Sequence, residues 1–382
     1  MTVAEATRPV PAEAATPVDG APDYVRNLPP YVTAKPASQV QMAPGVTRLR
    51  KMASNENPNG ASPKALAAAA AVLTGAATYP DPFGSELKAA LHARFGVPPE
   101  SLVIGNGSSE LLELAARCFM RAGDEAVYSQ YSFIGYPHAV KSMGGKGVVV
   151  PAVDFGHDLP AMLRAITPRT RLIFVANPNN PTGTLLAPEA ITSFLEQVPP
   201  HVLVVLDEAY TEYLEPAQRM DSFGLIKRFA NLVVMRTFSK AYGLAGLRVG
   251  FAAAQPQVAE LINRTRLVFN VNAPAQAAAL AALADEEFLA LSARGNREGM
   301  KLLQDAFQKL GLPYIPSWGN FIAVDLSSAP GGLQGVNAQL LAAGFLLRPL
   351  GAYGLPNHLR ITVGLPEDNA ALVAALTACV KP

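Results

Sequence analysis

Cysteine is almost missing from this chain, and so is any imbalance of charge. The two cysteines, Cys118 and Cys379, lie far apart, and neither belongs to a CxxC pair. A disulfide framework and a thiolate metal site are thereby excluded; no metal is expected, and a reducing cytoplasm suits the chain. Lys and Arg number 31 against 30 Asp and Glu, a formal net charge of +1, with no basic run or acidic tail. Nucleic acid and anionic membrane surfaces are therefore not the expected partners. No apolar run has the length needed to span a bilayer. Residues 1–22, rich in Ala, Pro, Thr and Glu, lack the basic start and apolar centre of a secretion signal and read as a mobile extension. Apolar residues, by contrast, fill half of the 382 positions, and only 16% are charged. That is more than one ordinary core holds. A large domain with a smaller companion is expected, in a soluble, cytoplasmic enzyme whose partners are small molecules.

Short apolar runs recur at Leu102–Ile104, Ala126–Tyr128, Val148–Val150, Leu172–Val175, Val202–Leu206, Leu232–Met235 and Val249–Ala252. Most lack polar alternation, as strands buried on both faces do. Helical patterns stand between several of them. Ser108 to Met120 carries apolar residues at helical spacing behind a Ser and a Glu, and Pro188 to Gln197 opens with a proline that a first turn tolerates. Such alternation predicts an α/β domain with a mainly parallel sheet. After Pro274 an Ala- and Leu-rich helical tract runs to about Lys309. Strands near Phe321–Leu326 and Leu359–Val363 follow, with helices near Leu333–Ala343 and Asp368–Val380, which suits a smaller α+β domain.

Four segments at strand ends carry the chemistry, where open α/β sheets place their ligands. In the first, Arg236-Thr-Phe-Ser-Lys-Ala-Tyr-Gly-Leu-Ala-Gly-Leu-Arg248, a lysine leaves a buried strand into a Gly/Ala turn. Burying Lys240 is costly without a partner, and a Schiff base with an aldehyde cofactor is one. Thr237 and Ser239 offer hydroxyls beside it and Arg248 a charged fork, a set suited to a dianionic phosphate. In the second, Asp207-Glu-Ala-Tyr210, a carboxylate ends an apolar run. It caps a helix, or it meets a cation such as a pyridinium nitrogen and so strengthens that ring as an electron sink. The third, Asn177-Pro-Asn-Asn-Pro-Thr-Gly183, reads as a turn with more asparagine than a turn needs, and Asn180 is the one aimed at the ring. The fourth, Gly105-Asn-Gly-Ser-Ser-Glu110, is a tight turn with an N-cap, or a phosphate cup built from Gly107, Ser108 and Ser109 at a helix N-terminus. A dinucleotide fingerprint does not fit, because Glu110 stands where its third glycine belongs.

NPNNPTG, DEAY and TFSKAYGLAGLRVG, in that order and about 30 residues apart, resemble the fold-type I, class II pyridoxal-phosphate-dependent aminotransferases. Within them the chain is most similar to the histidinol-phosphate aminotransferase group. Arg26-Asn-Leu-Pro-Pro-Tyr31, Ala53-Ser-Asn-Glu-Asn-Pro58, Tyr79-Pro-Asp-Pro82 and Leu359-Arg-Ile-Thr-Val-Gly364 match as well, so the resemblance runs from about Tyr24 onward. It implies a mobile extension and N-terminal arm over 1–49 and a large cofactor-binding domain over 50–273, with a seven-stranded, mainly parallel sheet between helices. A smaller α+β domain over 274–382 completes it.

The resemblance also implies roles. Lys240 carries pyridoxal 5'-phosphate and shuttles the proton. Asp207 pairs with the ring nitrogen, and Asn180 and Tyr210 with the phenolic oxygen. Gly107, Ser108, Ser109, Thr237, Ser239 and Arg248 hold the phosphate, and Phe133 stacks on the ring. Tyr79 reaches the neighbouring subunit's cofactor, which makes the site a property of a homodimer. Arg360 binds the substrate's carboxylate or phosphate, with Arg348, Tyr31 and Asn55 as further substrate contacts. The implied reaction is a ping-pong transamination between L-histidinol phosphate and 2-oxoglutarate, in histidine biosynthesis. Two departures bear on this. Ser109 stands where many members carry Asp, which removes a charge near the cofactor phosphate without harm to its binding. Phe269 stands where many carry Tyr, which removes a contact to a substrate phosphate and loosens the substrate assignment more than the reaction class. An aromatic amino-acid aminotransferase, a decarboxylase of a phosphorylated amino acid, and a non-catalytic cofactor-binding regulator remain alternatives.

Overall fold

A strand that is apolar at every position needs cover on both faces, and the computed structural model, which describes residues 16–28 and 42–381, supplies it. Seven strands, β1 (Leu102–Gly105), β2 (Glu125–Ser129), β3 (Lys146–Val150), β4 (Thr170–Ala176), β5 (Leu203–Asp207), β6 (Leu232–Thr237) and β7 (Gly250–Ala254), form one sheet in the order β1-β7-β6-β5-β4-β2-β3. Only β7 runs against its neighbours. The seven apolar runs are these seven strands, with every end within two residues of expectation. Pleating sends alternate residues to opposite sides. Ile173, Val175, Val204, Leu206 and Val234 join one core, under helices Pro63–Ala71, Pro188–Gln197 and Ala273–Ala284. Leu172, Phe174, Val205, Val233 and Met235 join a second, under Gly107–Phe119, Gly135–Ser142 and Pro256–Thr265.

A smaller antiparallel sheet, in the order β10-β11-β9-β8, is made of β8 (Tyr314–Ile315), β9 (Phe321–Asp325), β10 (Arg348–Pro349) and β11 (His358–Thr362). Helices Gly332–Ala342 and Pro366–Val380 and the end of Glu286–Leu310 close a third core over it. The tract expected as one helix to Lys309 is two. Asp285 interrupts it, and its buried carboxylate accepts from Ser62 Oγ at 2.5 Å and Lys64 Nζ at 3.0 Å. The first half, Ala273–Ala284, packs its alanines against the alanine-rich Pro63–Ala71 and so joins the large core rather than the smaller unit. Among the described residues no helix is long and apolar enough to cross a membrane. Tyr31, and residues 1–15 of the extension, lie outside the described residues.

Because β1, β4, β5 and β6 share one direction, their carboxyl ends meet at one edge of the sheet. Gly105 and Thr237 both pair with Gly250, and Asp207 pairs with Ala176 on one side and Met235 on the other. The turn after β6 is clamped against the segment 57–61. Gly243 there has φ +73°, and a Cβ on it would lie 2.0 Å from the Gly60 carbonyl oxygen. Gly243→Ala therefore adds both a strained backbone and a collision, and is expected to destabilise the fold by at least about 2 kcal/mol. Urea unfolding checks this; an unchanged midpoint would mean the turn relaxes freely.

Candidate active site

The loops at that edge enclose a cavity of about 250 Å³, lined among others by Ser108, Ser109, Phe133, Asp207, Lys240 and Arg248. At one end, the helix Gly107–Phe119 begins with Ser108 and Ser109 in its first turn, where unpaired backbone N–H groups and the positive dipole end face the space. Arg248 Nη1 donates to Ser239 Oγ at 3.3 Å and to the Ala245 carbonyl at 3.1 Å, and Nη2 donates to the Asn106 carbonyl at 3.2 Å. Thr237 Oγ1 and Ser239 Oγ lie 2.9 Å apart. Gly107, at φ +77°, passes directly beneath the guanidinium: a Cβ there would come within 2.6 Å of Arg248 Nη2. Only glycine permits that approach. Hydroxyls, helix N–H groups and a guanidinium thus converge on a volume suited to a phosphate.

Asp207, which also lines the cavity, is buried. Its Oδ2 accepts from the Tyr136 hydroxyl at 2.9 Å, while its Oδ1 has no partner. Burial pushes the carboxyl up to about 6, against the pull of the Tyr136 hydrogen bond. An orphaned buried carboxylate oxygen facing a cavity is the acceptor that a protonated ring nitrogen requires. Lys240 lines the same cavity; its Nζ donates to the Ser54 carbonyl at 3.0 Å and lies 6.0 Å from the Tyr210 ring centroid. Burial, and then the positive charges of Arg360 and Arg248, lower its amine to about 8.

A second lobe of about 250 Å³ adjoins the first, sharing Ser54, Phe133, Asn180, Tyr210 and Lys240 and adding Asn55, Arg348, Tyr353 and Arg360. Arg348 and Arg360 face each other in the β10–β11 register. Arg360 Nη1 donates to Asn180 Oδ1 at 2.5 Å and Nη2 to the Ala53 carbonyl at 2.8 Å. The segment 53–57 stitches the two units together: Asn55 Nδ2 donates to the Tyr210 hydroxyl at 2.9 Å, Asn57 Nδ2 to the Ala241 carbonyl at 2.8 Å, and Asn320 Nδ2 to the Asn55 carbonyl at 3.0 Å. Asn55 itself adopts φ 58°, which asparagine tolerates better than most residues.

Of the residues singled out in the sequence, Ser108, Ser109, Phe133, Asn180, Asp207, Tyr210, Thr237, Ser239, Lys240 and Arg248 line the first lobe, and Asn55, Arg348 and Arg360 the second. The spare asparagines divide their work. Asn177 and Asn179 hold the turn, through Leu186 N at 2.8 Å and Thr182 Oγ1 at 2.7 Å, and Asn180 alone turns to the cavity. Arg236, at the head of the lysine segment, instead pairs with Glu208 at 2.9 Å and lies over Phe223. Tyr79 does not line the cavity of its own chain; it is 81% exposed and stacks on Phe269 with centroids 4.5 Å apart. Sequence reasoning gave no role to Tyr136, Tyr353 or the Ser54 carbonyl. The first two are aromatics indistinguishable in sequence from core residues, and a backbone acceptor leaves no residue-type signal.

A family model described as aminotransferase class I and II matches residues 47–376. The chain belongs to the class I and II aminotransferases. Among its relatives are histidinol-phosphate aminotransferase 2 of Ralstonia nicotianae, 54% identical over 93% of this chain and 96% of that one, and histidinol-phosphate aminotransferase 1 of Cupriavidus pinatubonensis, 51% identical over 94% and 96%. Among solved structures it is similar to histidinol-phosphate aminotransferase from Sinorhizobium meliloti in complex with pyridoxal-5'-phosphate. That likeness has a TM-score of 0.83 and 30% identity, covering 87% of this chain and 92% of that one.

An amine attacks a carbonyl only when neutral, so the depressed Lys240 amine has a consequence in the cofactor-free protein. The rate of Lys240 modification by a small aldehyde under reducing trapping is expected to rise with pH through a midpoint near 8, where ordinary lysines rise near 10.5. Peptide mapping across a pH series checks it, and a midpoint near 10 at Lys240 would contradict the electrostatics described.

Proposed function

We propose that this aminotransferase is a pyridoxal-phosphate-dependent histidinol-phosphate aminotransferase, moving the amino group between L-histidinol phosphate and 2-oxoglutarate in the synthesis of histidine. The observation that carries the reading is the pairing of two anion-binding ends in one site. A phosphate cup around Arg248 lies at one end and an arginine lobe around Arg360 at the other, with Lys240 between. Relatives at about half identity across nearly the whole chain bear that name, which supports the choice of substrate.

Pyridoxal phosphate, when bound, supplies an electron sink for the charge left at the substrate's Cα. Each part of the protein's contribution follows from its place. The backbone of Gly107, the hydroxyls of Ser108, Ser109, Thr237 and Ser239, and Arg248 hold the phosphate. Asp207 Oδ1 holds the proton on the ring nitrogen, Asn180 and Tyr210 bond the phenolic oxygen, and Phe133 covers the ring face. Lys240 Nζ takes the proton from the substrate Cα; an amine near pH 8 matches that task at physiological pH. Arg360, assisted by Arg348 and Asn55, clamps the carboxylate of glutamate in one half-reaction and the phosphate of histidinol phosphate in the other.

The enzyme works as a homodimer in the cytoplasm. Tyr79, Phe83, Leu267 and Val268 are each more than 60% exposed, large for apolar residues, and Tyr79 stacks on Phe269 next to Val268, which supports a shared interface that carries Tyr79 to the neighbouring site. The two cysteines are unpaired, which suits a reducing compartment.

Half-reactions followed by absorbance with a panel of donors test the reading. Glutamate and L-histidinol phosphate are each expected to convert the bound cofactor, with kcat/KM for histidinol phosphate more than about tenfold above that for phenylalanine. The reverse preference would make the chain an aromatic aminotransferase, and carbon dioxide release without need of 2-oxoglutarate a decarboxylase. Arg360→Met is expected to lower kcat/KM for both glutamate and histidinol phosphate by roughly a hundredfold or more, since two charge-assisted hydrogen bonds go with it. A loss confined to one donor would show that the two anions are held apart.

A further inference from the structure

Asp207 is held from behind by a residue that no motif of the sequence marks. Tyr136, in the first turn of the helix Gly135–Ser142, is fully buried and its hydroxyl donates to Asp207 Oδ2 at 2.9 Å. Burial keeps that phenol protonated far above its ordinary range, with the Asp207 charge adding to the effect, so the hydroxyl acts as a donor throughout the working range. The ring cannot swing. It lies parallel to Phe174 on β4, centroids 4.7 Å apart at 9°, and meets the edge of Phe133 at 5.8 Å and 86°. One oxygen of Asp207 is therefore occupied on a fixed bearing, and the other is left bare.

We propose that Tyr136 is a positioning residue for the ring nitrogen. By donating to Oδ2 it keeps Asp207 ionised and turns Oδ1 into the cavity, while its ring braces Phe133, so that a single side chain registers both the nitrogen contact and the stacking face. The proposal rests on the cofactor reading given above and concerns this chain's own hydrogen bond. Without the hydroxyl, the Asp207 carboxylate would lose its side-chain donor and keep only the backbone N–H of Ala209. The carboxylate would then turn toward other donors or take up a proton, and either change weakens its hold on a protonated ring nitrogen.

The test compares two ligands by equilibrium dialysis: pyridoxal 5'-phosphate and its 1-deaza analogue, in which C–H replaces the ring nitrogen. Tyr136→Phe, which keeps the ring stack, is expected to weaken binding of the natural ring roughly tenfold, the scale of a hydrogen bond to a charged group. Binding of the analogue should change by less than about twofold, and that arm also verifies that the variant folds. Asp207→Asn should show the same selective loss, and adding Tyr136→Phe to it should change nothing further. Equal losses for both ligands, no loss for either, or additive effects in the double variant would overturn the proposal and leave Tyr136 as a packing residue. Failure of the unaltered protein to bind pyridoxal phosphate at all would instead bring down the cofactor reading, and this inference with it.

Discussion

Four cationic side chains and two carboxylates share the cavity at the carboxyl edge of one sheet, and that imbalance governs the rest of the site. Lys240, Arg248, Arg348 and Arg360 face it; Asp207 and Glu56 answer them. Crowding positive groups in a partly dry space is costly, and the cost shows in the Lys240 amine, lowered to about 8 by burial first and then by the charges of Arg360 and Arg248. A ligand that brings anionic groups to both ends relieves that repulsion. That field, added to burial, favours the neutral, nucleophilic lysine and also draws anions to the site, so reactivity and recognition share an electrostatic contribution.

Sheet direction makes this crowding possible. Parallel strands deliver their carboxyl ends to one edge, and the reversed β7 starts at that same edge, so that Arg248, just ahead of it, meets Gly107 just after β1. The smaller unit supplies Arg348 and Arg360 from paired strands of its own sheet, and the segment 53–57 fastens it to the lysine turn through Asn55 and Asn57. The lobe around Arg360 is thus a seam between two cores.

Much of this was legible in the sequence, for physical reasons. Strands buried on both faces must be apolar at every position, so all seven could be read within two residues. Residues that do chemistry at strand ends violate that apolarity in short, dense motifs, and Lys240, Asp207, Asn180 and Arg248 stood out together. The break at Asp285 was not legible, because its causes, Ser62 and Lys64, lie more than 200 residues away along the chain. The helix Ala273–Ala284 carried no sign of which core it would join, since an alanine face fits either. Tyr136 was hidden for a related reason: what distinguishes it from a core tyrosine is the carboxylate it meets, which arrives from another strand.

The central claim is that, among the described residues, Lys240 is the amine placed to bond an aldehyde whose phosphate sits at Arg248 and whose ring nitrogen meets Asp207. Loading the purified protein with pyridoxal phosphate, reducing it with borohydride and mapping the labelled peptide tests this directly. The account predicts a single stoichiometric label on Lys240, abolished in Lys240→Ala. A label spread over other lysines, or retained in that variant, would contradict it.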